Sequence, residues 1–555
     1  MEIITFRDFL EKNDTPDNQN AFGFLDKEYL TYGDVKSEIV RVKNYLIQAG
    51  INKGDKVILL SENHPNWSVI YLAVTSFGAV IVPILPDFTA PQIEVIIKHS
   101  EATIVFASDK QMPKLENISM PLFSVNNLKL IKGSINEELT FKNDTISIDK
   151  DDIAAILYTS GTTGNSKGVM LSHKNILSNV EACHRIIETS TKDRFLSLLP
   201  LAHTYECTVG FLFAFSRGST TTYIKGAPTP RVLMDALGKI KPTLVLSVPL
   251  LIEKIYRSKI AAKFKAKKFI SILYTMKPFR ILLNRVAGKK LLEAFGGKLR
   301  FFGVGGAPLA SEVELFLKDS HFPYSIGYGL TETAPLLAGD HPSLQSFRST
   351  GKPVFNGEVR IGEANPKTGV GEIQAKGPNI MKGYYKDQER TNEAFTEDGW
   401  FRTGDLGSMS KKGKIYIRGR EKNLILGSNG ENIYPEEIES LLNDNEFVSE
   451  SIITDMGKEL VGIIHLNAER LAEEVKNLKL PVHKIDDYKN SLLEKIRKDA
   501  NSNLSVQSRL SKLIEHANPF EKTPSLKIKR FLYTKDKDSK DSKDSKDTIN
   551  LNPLT

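Results

Sequence analysis

Short uncharged apolar runs recur through the first 340 residues, and polar stretches with helical spacing of apolar residues separate them. "KVILL" (56–60), "AVIVPIL" (79–85), "ATIVFAS" (102–108), "AAILYTS" (154–160), "TTTYIKG" (220–226) and "TLVLSVP" (243–249) read as strands buried on both faces. Strand–helix alternation of this kind predicts α/β layers. From about Gly351 the texture changes to short strands and turns, "GEVRIGEANPKTGVGEIQAKGPNIMKGYY" followed by "KGKIYIRGREKNLIL", which predicts a small β-rich unit over about 351–420. Beyond Arg420, "YPEEIESLLNDNEFVSESIITDMGKELVGIIHL" predicts helix, strand and strand in a compact α+β domain. The expected division is therefore 1–420 for a large N-terminal domain, 421–533 for a small C-terminal domain and 534–555 for a disordered tail. The tail repeats "KDS" with balanced charge and is expected to stay solvated.

One stretch has the length of a membrane span, "VIYLAVTSFGAVIVPILP" from Val69 to Pro86, with no charged residue. Gly78 divides it, Pro83 and Pro86 break it, and its second half is β-branched, so a buried helix followed by a buried strand is expected. The start, "MEIITFRDFLEKND", has acidic residues and no apolar core and does not read as a signal peptide. Two cysteines, Cys183 and Cys207, provide neither a disulfide framework nor a metal cluster and fit a reducing cytoplasm. A net charge of +8 permits an anionic partner without choosing among nucleotide, nucleic acid and membrane. The charge is concentrated. Between Lys254 and Arg300, Glu293 is the only acid, and Lys259, Lys263, Lys265, Lys267, Lys268, Lys277, Arg280, Arg285, Lys289 and Lys290 interleave with Ile260, Phe264, Phe269, Ile272, Leu273, Phe279, Leu282 and Leu283. Such a segment suits either an anionic bilayer surface or a solvated helix face. Nucleic acid is disfavoured, because no recognised binding motif accompanies the charge.

"ILYTSGTTGNSKGVMLSH" (156–173) gathers hydroxyls and glycines around Lys167, between an apolar run and the helical pattern "NILSNVEACHRII". Backbone N–H groups, hydroxyls and one ammonium suit phosphate. The loop is not of the Walker type: counting from Gly161, Ser166 stands where the second glycine belongs, and Gly168 follows Lys167 in place of a hydroxyl. Four further stretches accompany it. "FFGVGGAPL" (301–309) ends an apolar strand in glycines, but Pro308 replaces the third glycine of a dinucleotide fingerprint. "GYGLTETAP" (327–335) offers Tyr328 for a base, and Thr331 and Glu332 for phosphate and magnesium. "GWFRTGDLG" (399–407) places Asp405 in a turn, able to accept from both ribose hydroxyls. "IRGREKNLILGSNGENIYPEEIE" (417–439) places Arg420 and Lys422 where the texture changes.

In this order and spacing the motifs resemble the adenylate-forming superfamily, over nearly the whole chain from "LTYGDV" (30–35) to "TPSLKIKR" (523–530). "LLPLAHTYE" (198–206), "GVGGAPL", "GYGLTETAP" and the basic insert most resemble long-chain fatty acyl-CoA synthetases. The resemblance implies that Thr159, Ser160, Gly161, Thr162, Thr163, Gly164 and Lys167 cradle the β- and γ-phosphates of ATP. It also implies that Gly306, Ala307, Pro308 and Tyr328, with Gly329 beside them, bind adenine, and that Asp405 and Arg420 bind ribose. Thr331 would meet the α-phosphate, and Glu332 with Thr159 would hold Mg2+. His203 would lie near the acyl carboxylate. Lys527 would bridge carboxylate and α-phosphate, and the small domain would rotate about Lys422 between two half-reactions, bringing "GSNGEN" (427–432) beside the thiol channel.

The implied reaction is ATP-dependent activation of a long-chain fatty acid to acyl-AMP, then transfer to coenzyme A. Acyl carrier protein is the alternative acceptor, and a membrane-surface protein built on an inactive synthetase fold is the alternative class. The implied setting is cytoplasmic, peripheral at the inner face of a membrane, with no nucleic-acid partner. One departure stands out: the family's Pro-Thr-Gly-Lys reads Pro524-Ser525-Leu526-Lys527 here, which leaves Lys522 and Lys529 as alternatives to Lys527.

Overall fold

The computed structural model describes residues 4–141, 146–159, 167–226, 229–265, 268–427, 432–457, 459–523 and 527–534. The expectations for Ser160, Gly161, Thr162, Thr163, Gly164, most of "GSNGEN" and the tail beyond Thr534 fall outside these residues. By internal contacts the chain divides into Met1–Asn423 and Leu424–Thr555.

The apolar runs of the first unit form two large sheets. One orders Gly383–Tyr384, Lys167–Ser172, Ile153–Thr159, Val80–Ile84, Lys56–Leu60, Ala102–Ala107, Leu122–Ser124 and Leu130–Lys132 side by side. The other orders Tyr324–Ile326, Phe301–Val304, Leu244–Ser247, Arg194–Ser197, Thr220–Tyr223, Asn20–Phe24 and Tyr29–Thr31. The apolar interiors of the central strands have a direct cause, since both faces of the sheets are covered there. Along Ile153–Thr159, Ala155 and Leu157 join the central core, whereas Ile156 and Tyr158 join the core on the opposite face. Phe301 likewise faces the central core, and Phe302 and Val304 face the third core.

The central layer contains the helix Pro65–Phe77, in which Trp67 and the residues through Phe77 are all buried. Pro65 opens it with a preset φ, and Gly78 closes it at φ 96°, in the left-handed region that favours glycine. The 69–86 stretch is thus a buried helix and the buried strand Val80–Ile84. No helix among the described residues is long and apolar enough to cross a membrane. The β-rich segment forms a four-stranded antiparallel sheet of Glu358–Gly362, Gly371–Lys376, Phe401–Met409 and Ile415–Arg420.

The second unit carries a three-stranded sheet of Val448–Met456, Glu459–Leu466 and Lys512–Glu515. The helices Pro435–Asn443 and Ile485–Ser502 place Ile438, Leu442, Leu493 and Ile496 in the same core as Ile453 and Ile464 from that sheet.

Candidate active site

Two local expectations are corrected by the backbone. Lys167 does not precede a helix N-terminus. It opens the strand Lys167–Ser172, antiparallel to Ile153–Thr159, and the helix His173–Ile186 begins only after that strand. The apolar alternation "GVMLS" carries this strand, and Ser172 then caps the helix by accepting from the Asn175 N–H at 3.2 Å. Thr159 and Lys167 are cross-strand partners, so both ends of the hydroxyl–glycine segment meet at one point. Asp405, for its part, lies in the strand Phe401–Met409 and not in a turn. Its register partner there is Arg420, the last residue of Ile415–Arg420.

Around Lys167 the chain gathers charge from distant segments. Tyr384 pairs with Val169 on the neighbouring strand, and the Lys167 ammonium lies 4.7 Å from the Tyr384 ring centroid. The Tyr384 hydroxyl donates to Glu332 Oε1 at 3.0 Å, and the Met381 N–H donates to the Glu332 carbonyl at 2.9 Å. Burial lowers the Lys167 pKa, and the nearby charges of Arg390 and Lys422 lower it further, against the opposing pull of Glu332. Arg390 and Lys422 thus lie close enough to Lys167 to make its surroundings electropositive.

The Thr331–Thr333 turn that carries Glu332 is pinned from behind. Asn179 donates to the Thr333 carbonyl at 3.0 Å, Thr208 to the Ala334 carbonyl at 3.2 Å, and Asn379 to the Leu336 carbonyl at 3.0 Å. Thr331 and Glu332 remain half-buried at its front.

A second cluster lies in the same unit. The Tyr328 hydroxyl donates to Asp405 Oδ2 at 2.8 Å, and Arg420 Nε donates to Asp405 Oδ1 at 2.7 Å. Phe301–Val304 and Tyr324–Ile326 are parallel neighbours, with Val304 opposite Ile326. Gly306, Ala307, Pro308 and Tyr328 therefore leave adjacent strands at the same carboxyl edge, the usual ligand crevice of a parallel sheet. Gly306, Ala307 and Pro308 are exposed, and Gly306 has φ 86°. Gly329 has no alternative: a Cβ there would lie 1.8 Å from the Pro335 carbonyl oxygen.

His203 is half-buried, and its carbonyl accepts from Cys207 N at 2.9 Å at the start of the helical segment Tyr205–Leu212. Behind it lies a narrow apolar cavity lined by Tyr205, Val209, Phe213, Leu246, Gly303 and Gly327 among others. In the second unit, Lys527 is exposed, on a loop closed by the Thr523 N–H donating to the Lys527 carbonyl at 2.8 Å. Lys529 is held by Glu521 at 3.3 Å, and Lys522 is paired with Glu450.

Sequence reasoning had not singled out Tyr384, Arg390, Asn179 or Asn379. Tyr384 sits in a two-residue strand, too short for periodicity to reveal, and the asparagines act through backbone carbonyls nearly 160 residues or some 40 residues away.

A family model described as AMP-binding enzyme matches residues 10–385. The chain belongs to this family. Among relatives of this AMP-binding enzyme is the peroxisomal long chain acyl-CoA synthetase 7 of Arabidopsis thaliana, 30% identical across 80% of this chain and 69% of that protein. A long-chain-fatty-acid–CoA ligase of Mycobacterium bovis is 28% identical across 78% of this chain and 76% of its own. A chloroplastic long-chain-fatty-acid–[acyl-carrier-protein] ligase of Arabidopsis thaliana is 27% identical across 80% and 73%. In fold, the AMP-binding enzyme matches ATP-bound MatB from Rhodopseudomonas palustris with TM-score 0.76 at 23% identity, over 96% of this chain and 98% of that one. O-succinylbenzoate coenzyme A synthetase from Bacillus subtilis, solved with ATP and a magnesium ion, matches with TM-score 0.73 at 21% identity, over 94% and 98%.

The residues present fit ATP and Mg2+. Lys167, Arg390 and Lys422 would supply a positive field for phosphates. No group of three or more His, Cys, Asp or Glu among the described residues makes a protein-only metal cage. Mg2+ needs none, because it is ordinarily held by one or two carboxylates together with substrate phosphates, and Glu332 would provide the carboxylate.

Proposed function

We propose that this AMP-binding enzyme is a long-chain fatty acid–coenzyme A ligase. The observation that carries the reading is the set of long-chain relatives, 28–30% identical over 78–80% of this chain, and a small apolar cavity lined by Tyr205, Gly303 and Gly327, residues near His203, Gly306 and Tyr328 in sequence, is consistent with it. The cavity measures about 30 Å³ as it stands, so a hydrocarbon chain would enter only as its lining side chains move apart, its carboxylate then facing the segments that carry Tyr328 and His203. A carboxylate is a poor electrophile and must first be activated. Its oxygen attacks the α-phosphorus of ATP, pyrophosphate leaves, and a mixed carboxylic–phosphoric anhydride results. The thiolate of coenzyme A then attacks the acyl carbon, and AMP leaves with the bond electrons.

Residue roles are assigned from the family resemblance, and the charge clusters around Lys167 and Asp405 are compatible with them. Lys167, with Thr159 and the segment Ser160–Gly164, holds the β- and γ-phosphates. Thr331 contacts the α-phosphate, Asp405 and Arg420 take the ribose hydroxyls, and Gly306–Pro308 with Tyr328 and Gly329 enclose adenine. Mg2+, held by Glu332 and Thr159, would offset charge on the phosphoryl oxygens. Tyr384 orients Glu332 through the 3.0 Å bond and shields Lys167 from water. Lys527 is assigned to the first step, where it offsets repulsion between carboxylate and α-phosphate. Rotation of the 421–533 domain about Lys422 is assigned to the change between steps.

Peripheral contact with an anionic membrane in the cytoplasm belongs to the same reading, since long-chain acids partition into bilayers. Acyl carrier protein is a second acceptor to be tested, supported by the carrier-protein ligase among the relatives. The test is pyrophosphate release across acetate, octanoate, palmitate and oleate, with coenzyme A or carrier protein as acceptor. Palmitate with coenzyme A is expected to lead. Faster turnover of acetate than palmitate overturns the substrate, and thioester on the carrier protein alone overturns the acceptor.

A further inference from the structure

The segment Lys254–Arg300 carries fourteen Lys and Arg against one Glu, so the rest of a chain with net charge +8 is acidic overall. Its helix Lys277–Ala294 is anchored on one side. Asn284, Gly288 and Leu291 are buried there, and a Cβ on Gly288 would lie 2.3 Å from Ser320 Cβ, so the helix backbone lies close against that residue. Arg280 and Asn284 both donate to Asp319 Oδ2, at 2.9 and 3.1 Å, and Tyr274 of the preceding helix Lys268–Thr275 donates to Asn284 at 3.0 Å. These contacts hold both helices in place.

The opposite side is apolar and open. Phe269 is 72% exposed, Ile272 65%, Met276 50%, Phe279 41%, Leu282 59% and Val286 54%. Phe269 and Ile272 lie three apart on the first helix, and Phe279, Leu282 and Val286 lie three and four apart on the second, so each helix carries an open apolar stripe. Lys277, Arg285, Lys289 and Lys290 are exposed beside the second. Large apolar residues are rarely left open in a row unless something covers them. Cations flanking such a stripe select an anionic cover, and an apolar stripe with a basic margin is the pattern of an interfacial helix. Neither helix is long and apolar enough to cross a bilayer.

We propose that these stripes and their basic margin are the surface with which the protein lies on an anionic phospholipid bilayer, Phe269, Ile272, Phe279 and Leu282 entering the headgroup boundary while the lysines meet lipid phosphates. The inference deepens the ligase reading and rests on it for its purpose: it names the face turned to the phase in which a long-chain acid is dissolved. The placement of the surface stands on exposure and charge alone.

Flotation of the full-length protein with vesicles tests it, using phosphatidylcholine alone and phosphatidylcholine mixed with phosphatidylglycerol. Binding is expected to the mixed vesicles at low salt and to weaken as salt rises. The triple variant Phe269→Ser/Ile272→Ser/Leu282→Ser is expected to lose roughly tenfold or more in vesicle partition. Lys289→Ser/Lys290→Ser is expected to lose roughly fivefold per cation and to flatten the salt dependence. Both variants should keep wild-type pyrophosphate release on detergent-dispersed palmitate, which also verifies their folding. Unchanged flotation of the triple variant overturns the proposal. So does a wild-type dimer, seen by sedimentation velocity, that the triple variant converts to monomer while vesicle binding stays the same, because the stripes are then covered by a second copy. If no acid releases pyrophosphate although flotation behaves as expected, the ligase reading falls and the membrane surface stands.

Discussion

At the scale of single residues, Asp405 shows how one side chain is fixed by its neighbours in the position proposed for ribose binding. Both of its oxygens already accept charge-assisted or phenolic hydrogen bonds, from Arg420 and Tyr328. Asp405→Asn keeps the shape but removes the charge that holds Arg420 and, in the proposed role, would draw ribose hydroxyls. The expected outcome is a rise of roughly tenfold to a hundredfold in KM for ATP in pyrophosphate release, with Tm nearly kept; an unchanged KM would remove Asp405 from the nucleotide site. Glu206 makes a different residue-scale prediction. It is buried, Oε2 has no hydrogen-bond partner among the described residues, and desolvation pushes its pKa up to about 8, despite bonds from Ser197 and the Leu199 backbone. The folded protein therefore holds this proton over a range where the unfolded chain has lost it. The associated stability is fully present below pH 4.5 and is lost as pH rises to about 8, at about 1.4 kcal/mol per pH unit. Glu206→Gln, which mimics the protonated acid, should gain Tm over wild type as pH rises from 5.5 to 8, roughly in that proportion. A gap independent of pH would show that Glu206 titrates normally.

Elements decide the shape of the cavity. The strand Phe301–Val304 presents Gly303 between Leu246 and Tyr205, where an added Cβ would lie 2.8 Å from Leu246 Cδ2 and 2.9 Å from Tyr205 Oη. Both are side-chain ends that can shift only into the cavity they line. Gly303→Ala should therefore cost about 1–3 kcal/mol in stability and shorten the space for an acyl chain. Each methylene excluded removes about 0.8 kcal/mol of binding, so kcat/KM for palmitate should fall several-fold relative to octanoate. Comparison of the two acids on wild type and variant reads this directly; a constant ratio would place the acyl chain elsewhere. The elements also show what pattern can and cannot reveal. The strands of the two large sheets were legible because burial on both faces excludes charge from whole runs. The strand Lys167–Ser172 was not, because its glycine-rich approach and its adjoining helical pattern outweighed five alternating residues. Gly383–Tyr384 is shorter still, and it exists only because Val169 and Met170 offer an open edge to pair with.

For the whole molecule the decisive question is whether two half-reactions use different residues. Lys527→Ala should slow pyrophosphate release by about 3–4 kcal/mol, a factor of 10²–10³, because the repulsion between carboxylate and α-phosphate is then unopposed. Synthetic acyl-adenylate with coenzyme A should react at a near-normal rate in that variant. Lys422→Pro should do the converse, since fixing φ restricts the backbone change assigned to the hinge. Lys529→Ala is the control: if it blocks pyrophosphate release and Lys527→Ala does not, the bridging lysine lies two residues further on. Equal loss of both half-reactions in all three variants would remove the alternating mechanism. Much of this was determined by the sequence by itself. Layered α/β architecture, the buried helix and strand of 69–86 and the β-rich segment after Gly351 follow from local pattern, and Lys167, Glu332, Asp405 and Arg420 were candidates from motif order. Tertiary structure alone decided which charges share a space. Lys167 precedes Tyr384 and Arg390 by more than two hundred residues and meets them only because one strand finds an open sheet edge. It also decided the fate of residues that look alike in sequence: in one basic segment Tyr256, Ile260 and Leu291 are buried, whereas Phe269, Ile272 and Leu282 stand open. Composition cannot distinguish them, because burial depends on the neighbour each helix face meets, and that neighbour is supplied by a distant part of the chain.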